Sequence, residues 1–311
     1  VAMGLCRHLY AVWLNRGLQF EGRGWIDLAL TLPGSVDPSL KATVLYVASA
    51  LALQQGQNES AHAYLLESID LSRESENIEG LANALVYLGM VELSQNCDLE
   101  TILTHIHEGI ELSRTIDSLA TTVNGLIKAG YALLEYGNYE PAIEYAEQAL
   151  VVLSTFPESM APDFASDAWA IIGISNAALG HYEKAEEYLH KPIQYSWVVD
   201  RLMSYNELGK LAIRRRRFQD AERYLFDNLK TVEDIQSDFA IIDTLEAVAC
   251  LVQARSASDV AAQLWGACEV ARDKFALPRT PHEQAVVEPY IISTRTTLDE
   301  KTFLAAYQRG G

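Results

Sequence analysis

The sequence is poor in cations: 24 Lys and Arg stand against 42 Asp and Glu in 311 residues, a net charge of −18. A chain this acidic lacks the basic surface that phosphate contacts need, which argues against direct nucleic-acid binding and against anionic membranes as partners. Cysteine is scarce too. Cys6, Cys97, Cys250 and Cys268 are too scattered for a disulfide framework, and no Cys-x-x-Cys pair offers half of a zinc site. Long apolar runs are missing: stretches such as Leu45–Leu53 fall short of the roughly 18 residues of a membrane span. The start, Val1–Leu14, carries Arg7 and His8 in its middle and so lacks the unbroken apolar stretch of an export signal. Reduced cysteines without an export signal point to the cytoplasm. The chain opens on Val with residues that already read as helical, and is expected to be an internal piece of a longer protein.

Catalytic signatures are absent as well. There is no Gly-x-x-x-x-Gly-Lys-Ser/Thr loop to cradle a nucleotide phosphate and no Gly-x-Ser-x-Gly elbow to raise a nucleophile. His105 and His107 are two residues apart, on different faces of a helix, where a metal pair needs a spacing of three or four. Carboxylate neighbours such as Glu186 and Glu187, or Asp299 and Glu300, read as solvated helix faces. The expectation is therefore a protein that is not an enzyme and holds no cofactor and no metal.

Repetition is what the sequence has instead. Gly137-Asn138-Tyr139-Glu140-Pro141-Ala142 and Gly180-His181-Tyr182-Glu183-Lys184-Ala185 share Gly-x-Tyr-x-x-Ala, and Arg216-Arg217-Phe218-Gln219-Asp220-Ala221 is a third, looser copy. Gly130, Gly173 and Gly209 each stand seven residues before the start of one copy. No period-two pattern is sustained anywhere, which excludes a sheet protein. The unit resembles the tetratricopeptide repeat, two antiparallel helices, A and B. In such a unit small residues at positions 8 and 20 let the helices approach, a Gly at position 15 ends helix A, and aromatics fill the gaps between units.

Position 8 of this template falls at Tyr10, Ser49, Gly89, Gly130, Gly173, Gly209 and Ala249, with spacings of 39, 40, 41, 43, 36 and 40. The expected fold is all-α: a right-handed superhelical solenoid of about seven tetratricopeptide-like helix pairs. They are placed at approximately 1–34, 38–75, 78–117, 119–156, 162–197, 200–236 and 238–276, with capping helices over 281–311. The pairs near Gly17–Gly22 and Asn96–Ile102 are the most degenerate, and the extra length is expected after helix B, as in Thr155–Asp163 with Pro157 and Pro162.

Two segments are more specific than the repeat. One is Arg16-Gly17-Leu18-Gln19-Phe20-Glu21-Gly22-Arg23-Gly24-Trp25. The other is Leu264-Trp265-Gly266-Ala267, followed by Leu277-Pro278, Pro281-His282-Glu283 and Leu298–Tyr307. In order and spacing they resemble the C-terminal sensor region of large bacterial regulators, in which a signal-transducing ATPase of the nucleotide-binding-and-oligomerising (STAND) type precedes tetratricopeptide-like repeats, often with a LuxR-type helix-turn-helix. The resemblance runs along essentially the whole chain. It implies a non-catalytic sensor arm, with the chain's own upstream ATPase module as one partner. The alternative is a stand-alone scaffold joining two proteins.

In such solenoids helix A lines the inner wall. The template reads positions 2, 5, 9 and 12 as that wall, including Val86 and Ile127, and it picks as binding candidates Tyr46, Asn83, Asn124, Tyr131, Asp167, Asn206, Lys210, Asp243 and Glu246. The amides and phenols of the first half suit the backbone of an extended peptide or a sugar-like ligand, and the acids around Lys210 suit a cationic or zwitterionic partner, so the expected occupant of the groove is a peptide, a protein or a small-molecule inducer. Arg214-Arg215-Arg216-Arg217 is expected in the last turn of a helix A, where cations suit the helix dipole, with Asp220 and Glu222 as neighbours.

Overall fold

A computed structural model of the chain describes residues 2–15, 18–32, 36–156, 161–194, 198–235, 238–275 and 277–311. Arg16 and Gly17 of the first distinctive segment, and Pro157 in the connection after Thr155, lie outside these residues. The described residues hold sixteen α-helices and no strand. In order these are α1 (Ala2–Asn15), α2 (Gln19–Thr31), α3 (Pro38–Gln54), α4 (Asn58–Glu74), α5 (Ile78–Ser94), α6 (Leu99–Thr115), α7 (Leu119–Glu135) and α8 (Tyr139–Leu153). They continue with α9 (Ala161–Ala178), α10 (Tyr182–His190), α11 (Val198–Arg214), α12 (Phe218–Ile235), α13 (Asp238–Ala254), α14 (Ser258–Phe275), α15 (Pro281–Thr297) and α16 (Glu300–Gly310).

The helices start where the sequence supplies acceptors for orphan amides. Asp37 caps α3 ahead of Pro38, Asn77 caps α5, and Asp98 caps α6 by accepting from Thr101 N at 2.9 Å. Thr280 and Glu283 form a reciprocal capping box at α15. The turns between A and B helices need one residue in the left-handed region. Gly137 and Gly180 take it at φ of 77° and 83°, at no steric cost, while in the third copy Arg216 is forced into it at 58°.

Backbone contacts divide the chain into two units, Val1–Leu134 with Glu140–Ile171, and Glu135–Tyr139 with Ile172–Gly311. In the first unit, α1/α2, α3/α4 and α5/α6 pack as pairs, and α3 touches both α1 and α5, so successive A helices lie side by side. The small residue at position 8 is where A meets B. A methyl on Gly89 would run into Ile106, and one on Gly130 would stand 3.2 Å from the Ala142 carbonyl oxygen. In the second unit α11/α12 and α13/α14 pair in the same way, with Leu225 against Gly209; Leu189 of α10 closes on Gly173 of α9.

The second unit ends differently. α16 packs on α14 so closely that a side chain on Gly266 would overlap the Tyr307 carbonyl, and one on Gly310 would overlap the Gln263 carbonyl. Trp265, fully buried, gives its indole N–H to the Thr294 hydroxyl of α15 at 3.3 Å. The Leu264-Trp265-Gly266-Ala267 segment is thus spent on seating α15 and α16. Three of the four cysteines are buried and Cys97, at the α5–α6 turn, is half-buried; all are free thiols. No described helix is long and apolar enough to cross a membrane.

Candidate functional site

On the first unit the A helices present a row of polar and aromatic side chains. Tyr10 of α1, Tyr46 of α3 and Tyr87 of α5 stack edge to tilted, with ring centroids 5.9 and 5.0 Å apart. Their hydroxyls are linked: Tyr10 lies 3.3 Å from Tyr46 and 3.1 Å from Tyr87. Burial, and then the neighbouring phenols, raise the pKa of Tyr10 well above the ordinary value; Tyr46 is raised for the same first reason. The Tyr10 and Tyr46 rings therefore stay neutral and offer hydroxyls for hydrogen bonding.

Beyond Tyr87 the row continues to Lys128 of α7 and Asp167 of α9, whose charged groups are 3.7 Å apart. Burial works against the Lys128 ammonium, but Asp167 and the Tyr87 phenol outweigh it, so its pKa lies above the lysine norm. Asn83 and Asn124, both half-buried, each stand one helical turn before a member of this row, Tyr87 and Lys128. The Asn83 amide N–H donates to the Glu79 carbonyl at 3.1 Å, and its oxygen makes no hydrogen bond among the described residues; nor does the Asn124 carboxamide. Tyr131 is half-buried one turn further along α7.

Position 5 of α5 and α7 needs a correction of one residue, whereas Tyr46, at position 5 of α3, lies in the row as expected. Val86 and Ile127, read at position 5, are buried at 0% and 6% exposure, with Val86 packed under Gly109 and Gly125. The side chains that reach the face are the next ones, Tyr87 and Lys128. The sequence signal was the i, i+4 pairing with Asn83 and Asn124, which the four-position template did not use.

The second unit treats its candidates differently. Asn206 of α11 donates its amide to Asp243 of α13 in a short hydrogen bond. Lys210 is shared by Glu207 and Asp243, each at 2.8 Å, and these two acids raise its pKa against the opposing effect of burial. Glu246, 1% exposed, is clasped by two guanidiniums: Arg272 binds both its oxygens at 2.8 and 2.9 Å, and Arg279 approaches to 2.6 Å. Arg272 also bonds the Leu277 carbonyl at 2.9 Å and meets Glu283 at 3.4 Å.

The residues after Leu277 lie over this face. Thr280 donates its hydroxyl to Glu135, and His282 pairs with the Tyr139 hydroxyl at 3.1 Å. His282 is buried among Glu207, Lys210, Arg214 and Asp243; burial comes first in pushing its pKa down to about 4. Further along α15, Ser293 accepts from the Gln253 amide at 3.0 Å. Lys210, Asp243 and Glu246 are therefore held by each other's neighbours and by the 277–297 segment, whereas in the first unit the Asn83 amide oxygen and the Asn124 carboxamide make no hydrogen bond among the described residues.

The arginine run is also placed differently from expectation. α11 ends at Arg214, so only that residue lies in a last helical turn, donating to the Ala177 carbonyl at 3.2 Å. Arg215 and Arg217 reach back to α10, to Glu186 at 3.2 and 2.9 Å, and Arg215 also to Glu183 at 3.0 Å. Asp220 is a weaker neighbour of Arg217 at 3.8 Å, and Glu222 pairs instead with Arg255. The run is a strap between consecutive pairs. Among the described residues no cluster of His, Cys, Asp and Glu has the makings of a metal site.

No family model matches the chain, and no curated protein matches it in sequence. Solved structures do. NprR in complex with its cognate peptide NprX is 15% identical, with 98% of this chain and 85% of that one covered at a TM-score of 0.66. A Rap protein complexed with Competence and Sporulation Factor is 10% identical, with 98% and 99% covered and a TM-score of 0.61. The apo form of the quorum sensor NprR from B. thuringiensis is 12% identical, with 94% and 86% covered and a TM-score of 0.58. At these identities the likeness is one of fold, and the chain has the tetratricopeptide-like α-solenoid fold of these proteins.

Proposed function

We propose that this chain is a non-catalytic, peptide- or protein-binding sensor module, and that its ligand lies along the A-helix face of the first unit. The observation that carries the reading is the row Tyr10, Tyr46, Tyr87, Lys128 and Asp167, with the half-buried amides of Asn83 and Asn124 one helical turn away. The Asn83 amide oxygen and the Asn124 carboxamide, beside the phenols of the row, match the alternating donors and acceptors of an extended peptide backbone. A protein of the same fold, NprR, is known in complex with its cognate peptide NprX, and a Rap protein in complex with Competence and Sporulation Factor; the first supports a peptide ahead of a small-molecule inducer.

The finer part of the proposal is the context. The segments around Glu21-Gly22-Arg23 and Leu264-Trp265-Gly266 resemble the sensor arms of STAND-type ATPase regulators, some with LuxR-type outputs. In that arrangement ligand capture in the cytoplasm releases an upstream ATPase, and any DNA contact comes from another domain. The ligand half is tested by melting the protein with synthetic octapeptides retained from a random pool. Stabilisation of the wild type that is lost in Asn83→Ala and Asn124→Ala supports the reading; stabilisation unchanged in both variants contradicts it. For the context, the test is the reading frame preceding Val1, which the proposal expects to encode a phosphate loop.

A further inference from the structure

We propose that Lys128 is a carboxylate-binding point, so that the ligand of the first unit is an extended peptide presenting a carboxylate to the Lys128 ammonium beside the Tyr46–Tyr87 aromatic wall. This rests on the groove reading above and adds the chemistry of the ligand.

Lys128 lacks a carboxylate at hydrogen-bond distance. Several cations of low exposure are closely held by carboxylates: Lys210 by two at 2.8 Å, Arg272 by Glu246 at 2.8 Å, Arg279 at 2.6 Å and Arg23 by Asp27 at 3.0 Å. Lys128 has only Asp167, at 3.7 Å, which is beyond a hydrogen bond. An ammonium carries three donors, and no acceptor within hydrogen-bond reach is present among the described residues. The side chain is 22% exposed, so part of it is reachable from solvent.

The surroundings keep the charge in place and make it selective. Lys128 is the only Lys or Arg on α5, α7 and α9. Asp167 is itself half exposed and free to swing away when a better-placed carboxylate arrives. Asn124, one turn earlier on α7, sits where the peptide group next to that carboxylate would lie. In a chain of net charge −18, an acidic peptide is repelled nearly everywhere else, so one exposed cation sets the register of binding.

The test uses three acetylated octapeptide pools on the immobilised full chain, read by mass spectrometry. The first pool has a free C-terminal carboxylate and no Asp or Glu; the second is amidated with one internal Glu; the third is amidated and has neither acid. The expected result is about tenfold higher retention of the first pool, the second, or both over the third, which assigns the carboxylate to a chain end, a side chain or either. Lys128→Gln should abolish that ratio and Lys128→Arg keep it. Asp167→Asn, which removes the competing carboxylate, should raise retention of the acidic peptides several-fold, an effect a purely structural ion pair does not give. Equal retention of all three pools, or no rise in Asp167→Asn, overturns the proposal while the groove reading stands. Retention of no pool overturns both.

Discussion

Glu246 shows how much a side chain's role depends on partners distant in sequence. Its place on α13 marked it as a wall residue, yet it is buried between Arg272 and Arg279. Removing one member of such a cluster leaves the other charges desolvated and unpaired. Glu246→Gln should therefore cost about 3–5 kcal/mol in urea unfolding, as a lower midpoint with unchanged slope. His282 gives the pH counterpart. Its folded pKa of about 4 lies below the unfolded value, so the unfolded chain takes up the proton first and stability falls as pH drops from about 6.5 to about 4. Glu283, raised by burial against the pull of Arg272, works in the opposite direction, so the comparison must be with His282→Gln. Across that pH range the wild type should lose up to about 3 kcal/mol more than the variant, read from melting curves at each pH. Neither role was legible in the sequence, because burial and partners were set by residues 26 to 143 positions away.

At the scale of the helix pair the sequence was far more transparent. Gly at position 8 and the turn glycine are local demands of A–B contact and chain reversal, and residues such as Gly173 and Gly180 declare them directly. Gly173→Leu should overpack the contact with Leu189, whose side chain already lies 2.7 Å from the position of an added Cβ, and should cost roughly 1–3 kcal/mol in thermal melting. The degenerate third copy predicts the reverse at its turn. Arg216 sits at φ of 58° with an exposed side chain, so Arg216→Gly should relieve strain and raise stability by about 0.5–1 kcal/mol. The wall register was harder, for a geometric reason. One residue along a helix is a turn of about 100°, so an error of one position exchanges Val86 in the core for Tyr87 on the face.

At the scale of the molecule, the acidic charge and the absent phosphate loop bounded the function early, and the repeat identified the fold. Which of the candidate wall residues stay available to a ligand was not readable, because segment 277–297 carries no periodic mark of where it docks. Its contacts with Glu135 and Tyr139 span more than 140 residues. The first unit's face is where the account places the ligand. The most direct measurement is photo-crosslinking: an octapeptide selected for binding, carrying a benzophenone, is irradiated with the full chain and the adducts are mapped by mass spectrometry. The account predicts adducts on α3, α5 and α7, around Tyr46, Asn83, Tyr87 and Asn124, that unlabelled peptide competes away. Competable adducts confined to α11, α13 or α15 would contradict it.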